Sequence, residues 1–175
     1  MQSASELVEP RSAEEAASTL AEAARAGQSV SLDRTGGDIV VSTASMTRVL
    51  EHEATDLTCI VEPGLRLSEL DAVLADHGQR LALDPPGDPT IGECVLDALS
   101  GPLRHRYGAI RDLILGVTVA LTDGTVASSG GKVVKNVAGY DLAKLFCGSR
   151  GTLGLVVRAA FRLHPRPETA TTISV

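Results

Sequence analysis

Aromatic side chains are nearly missing from this 175-residue chain, which has two Phe, two Tyr and no Trp. A nucleic-acid surface that works by base stacking needs such rings, and a net charge of −6 opposes association with phosphates. No nucleic-acid partner is expected. Long apolar runs are also missing, since none approaches the roughly 18 residues of a membrane-spanning helix. The segment from Met1 to Glu6 lacks the basic start and apolar stretch of an export signal. A cytoplasmic protein without direct membrane insertion is expected. The three cysteines, Cys59, Cys94 and Cys147, form no C-x-x-C pair. His52, His77, His105 and His164 show no metal-ligand spacing, so buried free thiols and no metal are expected. Gly148-Ser149-Arg150-Gly151 places its second glycine one position too early for a nucleophile elbow, which removes support for hydrolase chemistry.

What is present is enough apolar sequence, 43%, for one domain with its own core. Ser12 followed by Glu15 reads as a helix start and Gly27 as its stop, with Ala16, Leu20, Ala23 and Ala24 on one face. Extended runs follow at 29–33 and 38–42, then a strand pair in "RVLEH" and "LTCIVEPG". A second helix is expected with Ser68 as its cap and Gly78 as terminator. Pro85-Pro86-Gly87 and Pro89 lead into a short helix near Thr90, whose free N–H groups would favour an anion. Asp123-Gly124 marks a tight hairpin between two β-rich runs, and "TLGLVVRAAFRLHP" reads as a last, half-buried strand ending at Pro165.

The densest signal is "GGKVVKNVAGYDLAKLFCGSRGTLGLVV", residues 130–157. Glycine costs backbone entropy on folding, so a cluster persists where φ must be positive or where something approaches the main chain closely. Gly148, Gly151 and Gly154 would let main-chain amides touch a flat or charged ligand, with Lys132 and Lys135 offsetting negative charge. Spacing alone leaves an ordinary set of turns equally open.

The order of residues goes further. This stretch closely resembles FAD-linked oxidases with a vanillyl-alcohol-oxidase (PCMH) type flavin domain, in particular the FAD-binding subunit of bacterial glycolate oxidase. The resemblance runs from about Val49 to Pro167, through "DPPGDPTIGECVLDALSGPLRHRYG". It implies an α+β, bilobed FAD-binding domain: a small α/β lobe over 1–62 and a larger lobe with an antiparallel sheet over 63–175. Non-covalent FAD would lie between the lobes. The matching cofactor positions are Arg34, Gly36 and Gly37, then Thr90, Ile91, Gly92, Ser100 and Gly101. They continue with Gly139, Tyr140, Asp141, Gly148, Ser149, Gly151, Thr152, Gly154 and Val156, while Pro85, Pro86, Tyr107 and Gly108 would shape the pocket.

The chain departs from the pattern where the family has a Gly-Gly pair and a later Asn, and here has Gly92-Glu93 and Ala98. A carboxylate about 4 Å from a diphosphate repels it by roughly 1 kcal/mol in water and by more at a lower dielectric. The glycine loop at 34–38 is short, and Asp38 stands where a histidine link to flavin would be, while Arg104 and Arg106 are candidates to offset Glu93. No substrate domain follows Pro165-Arg166-Pro167, so no catalytic residue can be named and the isolated chain is not expected to turn over substrate. Two readings follow: an FAD-binding component of a glycolate-oxidase-like 2-hydroxy-acid oxidoreductase with partner subunits, or a degenerate subunit that keeps the fold without flavin.

Overall fold

The computed structural model describes residues 6–32, 36–131, 141–169 and 171. The chain opens with β1 (Glu6–Val8), α1 (Ala13–Arg25), β2 (Val30–Leu32) and β3 (Ile39–Val41). β1 and β2 both run parallel to β3, in the order β1-β3-β2. The capping signals at α1 act as read: Ser12 Oγ accepts from the Glu15 N–H at 3.1 Å, and the Glu15 carboxylate accepts from the Arg11 N–H at 2.9 Å. The buried face of α1 is almost entirely alanine, with Leu20 as the exception. Side chains this short let the helix approach the sheet closely, and Ala21 reaches the hairpin glycine Gly124.

The remaining elements are β4 (Val49–Glu53), β5 (Thr58–Val61), α2 (Leu67–Ala75), β6 (Gln79–Arg80), α3 (Ile91–Leu96), α4 (Arg104–Tyr107), α5 (Ile110–Leu113), β7 (Ile114–Ala120), β8 (Val126–Gly130), α6 (Ala143–Phe146), β9 (Leu155–Arg162) and β10 (His164–Pro165). Five of these strands form an antiparallel sheet in the order β4-β5-β9-β7-β8, and β10 pairs with β6. The Asp-Gly hairpin joins β7 to β8, with Asp123 Oδ1 accepting from the Thr125 N–H at 2.8 Å.

Three local expectations are corrected. β4 and β5, read as a strand pair within the first third of the chain, join the larger sheet instead of the small one. β9 is the central strand and not a half-buried last one: it pairs on both sides, and six of its eight residues are buried. Helix α2 starts two residues earlier than expected, with Arg66 as its N-cap, and Asp88 takes both the N–H and the hydroxyl of Ser68.

Two apolar clusters result. The larger lies under α2, α3, α5 and α6 around Leu70, Ile91, Leu113 and Phe161. The smaller joins α1 and β3 to Ala120, Leu155 and Val157 of the large sheet. Phe161, in β9, is the largest fully buried side chain in the first cluster. Replacing Phe161→Ala is expected to cost about 3–5 kcal/mol through lost burial and the cavity left behind. Chemical denaturation read by circular dichroism would check this, and a loss below about 1 kcal/mol would contradict the central placement of β9.

Candidate functional site

Between α6 and β9 the chain forms the glycine loop picked out by sequence. Ala143 and Phe146 anchor it in the core, while Leu142 and Leu145 face outward. Two backbone bonds clamp the loop onto the C-terminal end of α3: Gly148 N–H to Val95 O and Arg150 N–H to Leu96 O, both 2.9 Å. Thr152 closes the turn, donating its N–H (3.1 Å) and its hydroxyl (2.7 Å) to Ser149 O. The hydroxyl of Ser149 is itself buried and has no hydrogen-bond partner among the described residues.

Beside this loop lies a cleft of about 300 Å³. Its walls are Leu20 and Ala24 of α1, Val30 and Leu32 of β2, Thr122 of the hairpin, and the run Gly151–Leu155. The small sheet therefore faces the large one across the glycine loop. Gly151 is needed for that approach, because a Cβ there would sit 2.7 Å from Leu32 Cδ1 and the backbone has φ +79°.

The residues expected to hold a cofactor divide into groups. Gly151, Thr152 and Gly154 line the cleft, Gly148 and Ser149 frame the loop beside it, and Asp141 is exposed and pairs with Lys144 at 3.0 Å. Gly36 and Gly37 occupy the turn between β2 and β3, and the space a Cβ would fill at Gly36 is open. Arg34, Gly139 and Tyr140, with Lys132 and Lys135, lie outside the described residues. The side chains of Val156 and Ile91 are buried in the larger core cluster, which leaves only main chain at those positions for a ligand. Pro85 is buried and lines a different cavity, near Arg80 and Asp84, while Pro86 is exposed.

The start of α3 differs most from expectation. Its N–H groups are not free: Ile91 donates to Leu65 O at 2.9 Å and Gly92 to Pro63 O at 2.7 Å. Thr90 N–H donates to Glu93 Oε2 at 2.7 Å, and Glu93 N–H to Thr90 Oγ1 at 3.2 Å. This is a capping box, so Glu93 satisfies the helix start and is not a foreign charge in a phosphate loop. Gly92 is small because Pro63 packs on it, and Gly101 because a Cβ would lie 1.9 Å from Asp84 O. Ser100 accepts from Arg104 Nη1 at 3.3 Å, and the Arg106 guanidinium lies over Tyr107, so neither arginine is aimed at α3. Gly108 ends α4 with φ +87°. What sequence could have shown was the Thr90–Glu93 spacing, which is the capping-box signature.

A family model described as "FAD binding domain" matches residues 4–130. The chain is 36% identical over 139 residues to D-lactate dehydrogenase [cytochrome] 1, mitochondrial, of Saccharomyces cerevisiae, covering 79% of this chain and 24% of that protein. It is 37% identical over 141 residues to the glycolate oxidase subunit GlcD of Bacillus subtilis, covering 79% and 30%. It is 34% identical over 128 residues to GlcE of Escherichia coli, covering 71% and 37%. Alkyldihydroxyacetonephosphate synthase shares the fold, with a TM-score of 0.80 at 22% identity over 93% of this chain and 32% of that one. The chain thus spans between a quarter and two fifths of the length of these relatives. It belongs to the FAD binding domain family, and its cofactor is FAD. The residues fit that group: the cleft is walled by apolar and small side chains with Gln28, Thr122 and Thr152 as its polar members, and the glycine loop is tied to α3 by two backbone bonds.

Two expectations follow. Glu93→Gln, which keeps the capping geometry, should preserve stability and flavin affinity, whereas Glu93→Gly should cost about 1 kcal/mol without tightening flavin. A gain in FAD affinity for Glu93→Gly would show that repulsion does act at that loop. Burial pushes the Cys59 and Cys94 thiols up to about 12, and burial likewise lifts Cys147 to about 11. At pH 8 the folded protein should therefore react slowly with a thiol reagent, with half-buried Cys147 first; stoichiometric, immediate labelling of all three would contradict the packing.

Proposed function

We propose that this chain is the flavin-binding part of a 2-hydroxy-acid oxidoreductase of the glycolate-oxidase kind, working with partner subunits in the cytoplasm. The observation that carries the reading is the cleft between the small sheet and the glycine loop, combined with likeness to glycolate oxidase subunits and D-lactate dehydrogenases. Bound FAD would supply the two-electron acceptor for oxidation of the hydroxy acid. The chain's own residues would do the holding. Gly151 and Gly154 bring main chain to the ligand, Thr152 keeps the turn closed, and Ser149 offers its unused hydroxyl. Gly36, Gly37, Ser100, Gly101, Asp141 and Gly148 complete the proposed cofactor set. Among the described residues no helix is long and apolar enough to cross a membrane, and no group of His, Cys, Asp and Glu could hold a metal. Glu93 was the strongest sign of a degenerate domain, and its capping role removes that weight.

The test is to add excess FAD to purified protein, desalt, and record the visible flavin bands. Retained flavin near one per chain is expected, and a folded protein that stays colourless would overturn the reading. A sharper version uses Ser149→Ala. A hydroxyl that bonds only the cofactor should cost about 3- to 10-fold in FAD affinity when removed, while the flavin-free protein keeps or raises its melting temperature. Equal loss of stability with and without FAD would make Ser149 a purely structural residue.

A further inference from the structure

We propose that Arg80, Arg106, Arg162 and His164, gathered around Tyr107, form a binding site for a small oxyanion. The cluster is assembled from four parts of the chain. Arg80 of β6 and His164 of β10 are direct register partners, so their side chains emerge on the same side of the ladder. Leu81 and Leu163, one position on or back, point the other way into the core. The Tyr107 ring meets the His164 ring edge to face at 4.7 Å between centroids. The guanidinium carbons of Arg80 and Arg106 lie 5.1 Å and 5.4 Å from the centre of that same ring. Arg162 precedes His164 by two residues and, by strand alternation, shares its face.

Three nitrogens in this group are buried without a hydrogen-bond partner among the described residues: Nε of Arg80, Nε of Arg162 and Nδ1 of His164. Native proteins leave few such atoms, because each unsatisfied buried group carries a desolvation penalty. Contact with the tyrosine face favours the two guanidiniums but does not neutralise them. Burial, then Arg162 and Arg80, hold His164 below its ordinary pKa, which keeps the ring neutral and leaves the cluster's charge to the arginines. Three carboxylates, Asp71, Asp84 and Asp88, line the cavity beside Arg80, and Asp88 accepts the N–H and hydroxyl of Ser68. Asp84 accepts the Leu103 N–H with both oxygens, and Asp71 pairs with Arg166. Glu53 lies across β5 from Arg162, at the exposed edge of the sheet. Three cations and three nitrogens without a hydrogen-bond partner among the described residues call for an acceptor of negative charge, and guanidinium forks match the paired oxygens of a carboxylate or phosphate.

The experiment is a titration of the full chain with sodium glycolate, inorganic phosphate and sodium chloride at constant ionic strength. Melting temperature and the His164 ring resonances would be followed. Saturable stabilisation by glycolate or phosphate, absent with chloride and accompanied by movement of the His164 signals, is expected. A response to glycolate assigns the site to an organic acid, and a response to phosphate alone assigns it to a phosphate-bearing ligand. Arg106 is exposed, so Arg106→Gln should fold normally while weakening binding roughly tenfold, and Arg80→Gln should do the same. A rise linear in salt and equal for chloride would overturn the proposal. So would saturable binding indifferent to both substitutions, or displacement of the oxyanion by FAD, which would make this part of the flavin site. Flavin retention is scored separately, so failure here leaves the cofactor reading standing.

Discussion

The structure depends on the pairing of β9 between β5 and β7. This strand carries residues of both apolar clusters: Leu155 and Val157 belong to the one under α1, while Val156, Ala159 and Phe161 belong to the one under α3 and α5. Strict alternation would place Leu155, Val157, Ala159 and Phe161 on one face, yet the first two and the last two lie in different layers. The register against β7 shifts between Thr118 and Val119, where Arg158 and Val156 are the successive partners, so the strand changes which side chains face which layer. That irregularity lets one strand hold the small sheet and the helical layer at once, and the glycine loop immediately before it is fixed by the same placement.

A consequence is that the cleft is set by packing on both of its sides. Its outer wall comes from α1 and β2, and α1 is held to the large sheet through alanines and Leu20. Its inner wall is a loop hung from α3 by two backbone bonds. Any loosening of α3 would therefore be felt at Gly148–Arg150, which gives the capping box at Thr90–Glu93 a connection to the cofactor cleft despite making no contact with it. Positioning of this kind, through a rigid neighbour, is what precise ligand geometry requires.

Much of the framework was legible in sequence because its signals are local. Ser12 with Glu15, Gly27, and the Asp123-Gly124 turn each act through neighbours a few residues away, and the structure uses them as read. The central position of β9 was not legible, since a strand ending at a proline near the end of the sequence looks peripheral until its partners are known. Glu93 was misread for a related reason. A resemblance highlights departures from a pattern, and a glutamate in place of glycine looks like damage, yet its spacing from Thr90 has a local meaning that the comparison hides. The grouping of Arg80, Tyr107, Arg162 and His164 could not be read at all, because it exists only once β10 folds back on β6.

The glycines make the point most sharply. The family resemblance implies Gly92, Gly101 and Gly151 alike as cofactor positions, but each is small for its own reason. Gly92 accommodates Pro63, Gly101 accommodates the Asp84 carbonyl, and only Gly151 borders the cleft, where Leu32 sits against it. Close approach is common to all three, and in each the approaching group is part of the protein itself. A glycine pattern shared with a cofactor-binding family is therefore maintained as much by the packing that builds the cleft as by the ligand within it. A side chain at Gly101 would disturb the frame, where it meets the Asp84 carbonyl, before any effect on a ligand is felt.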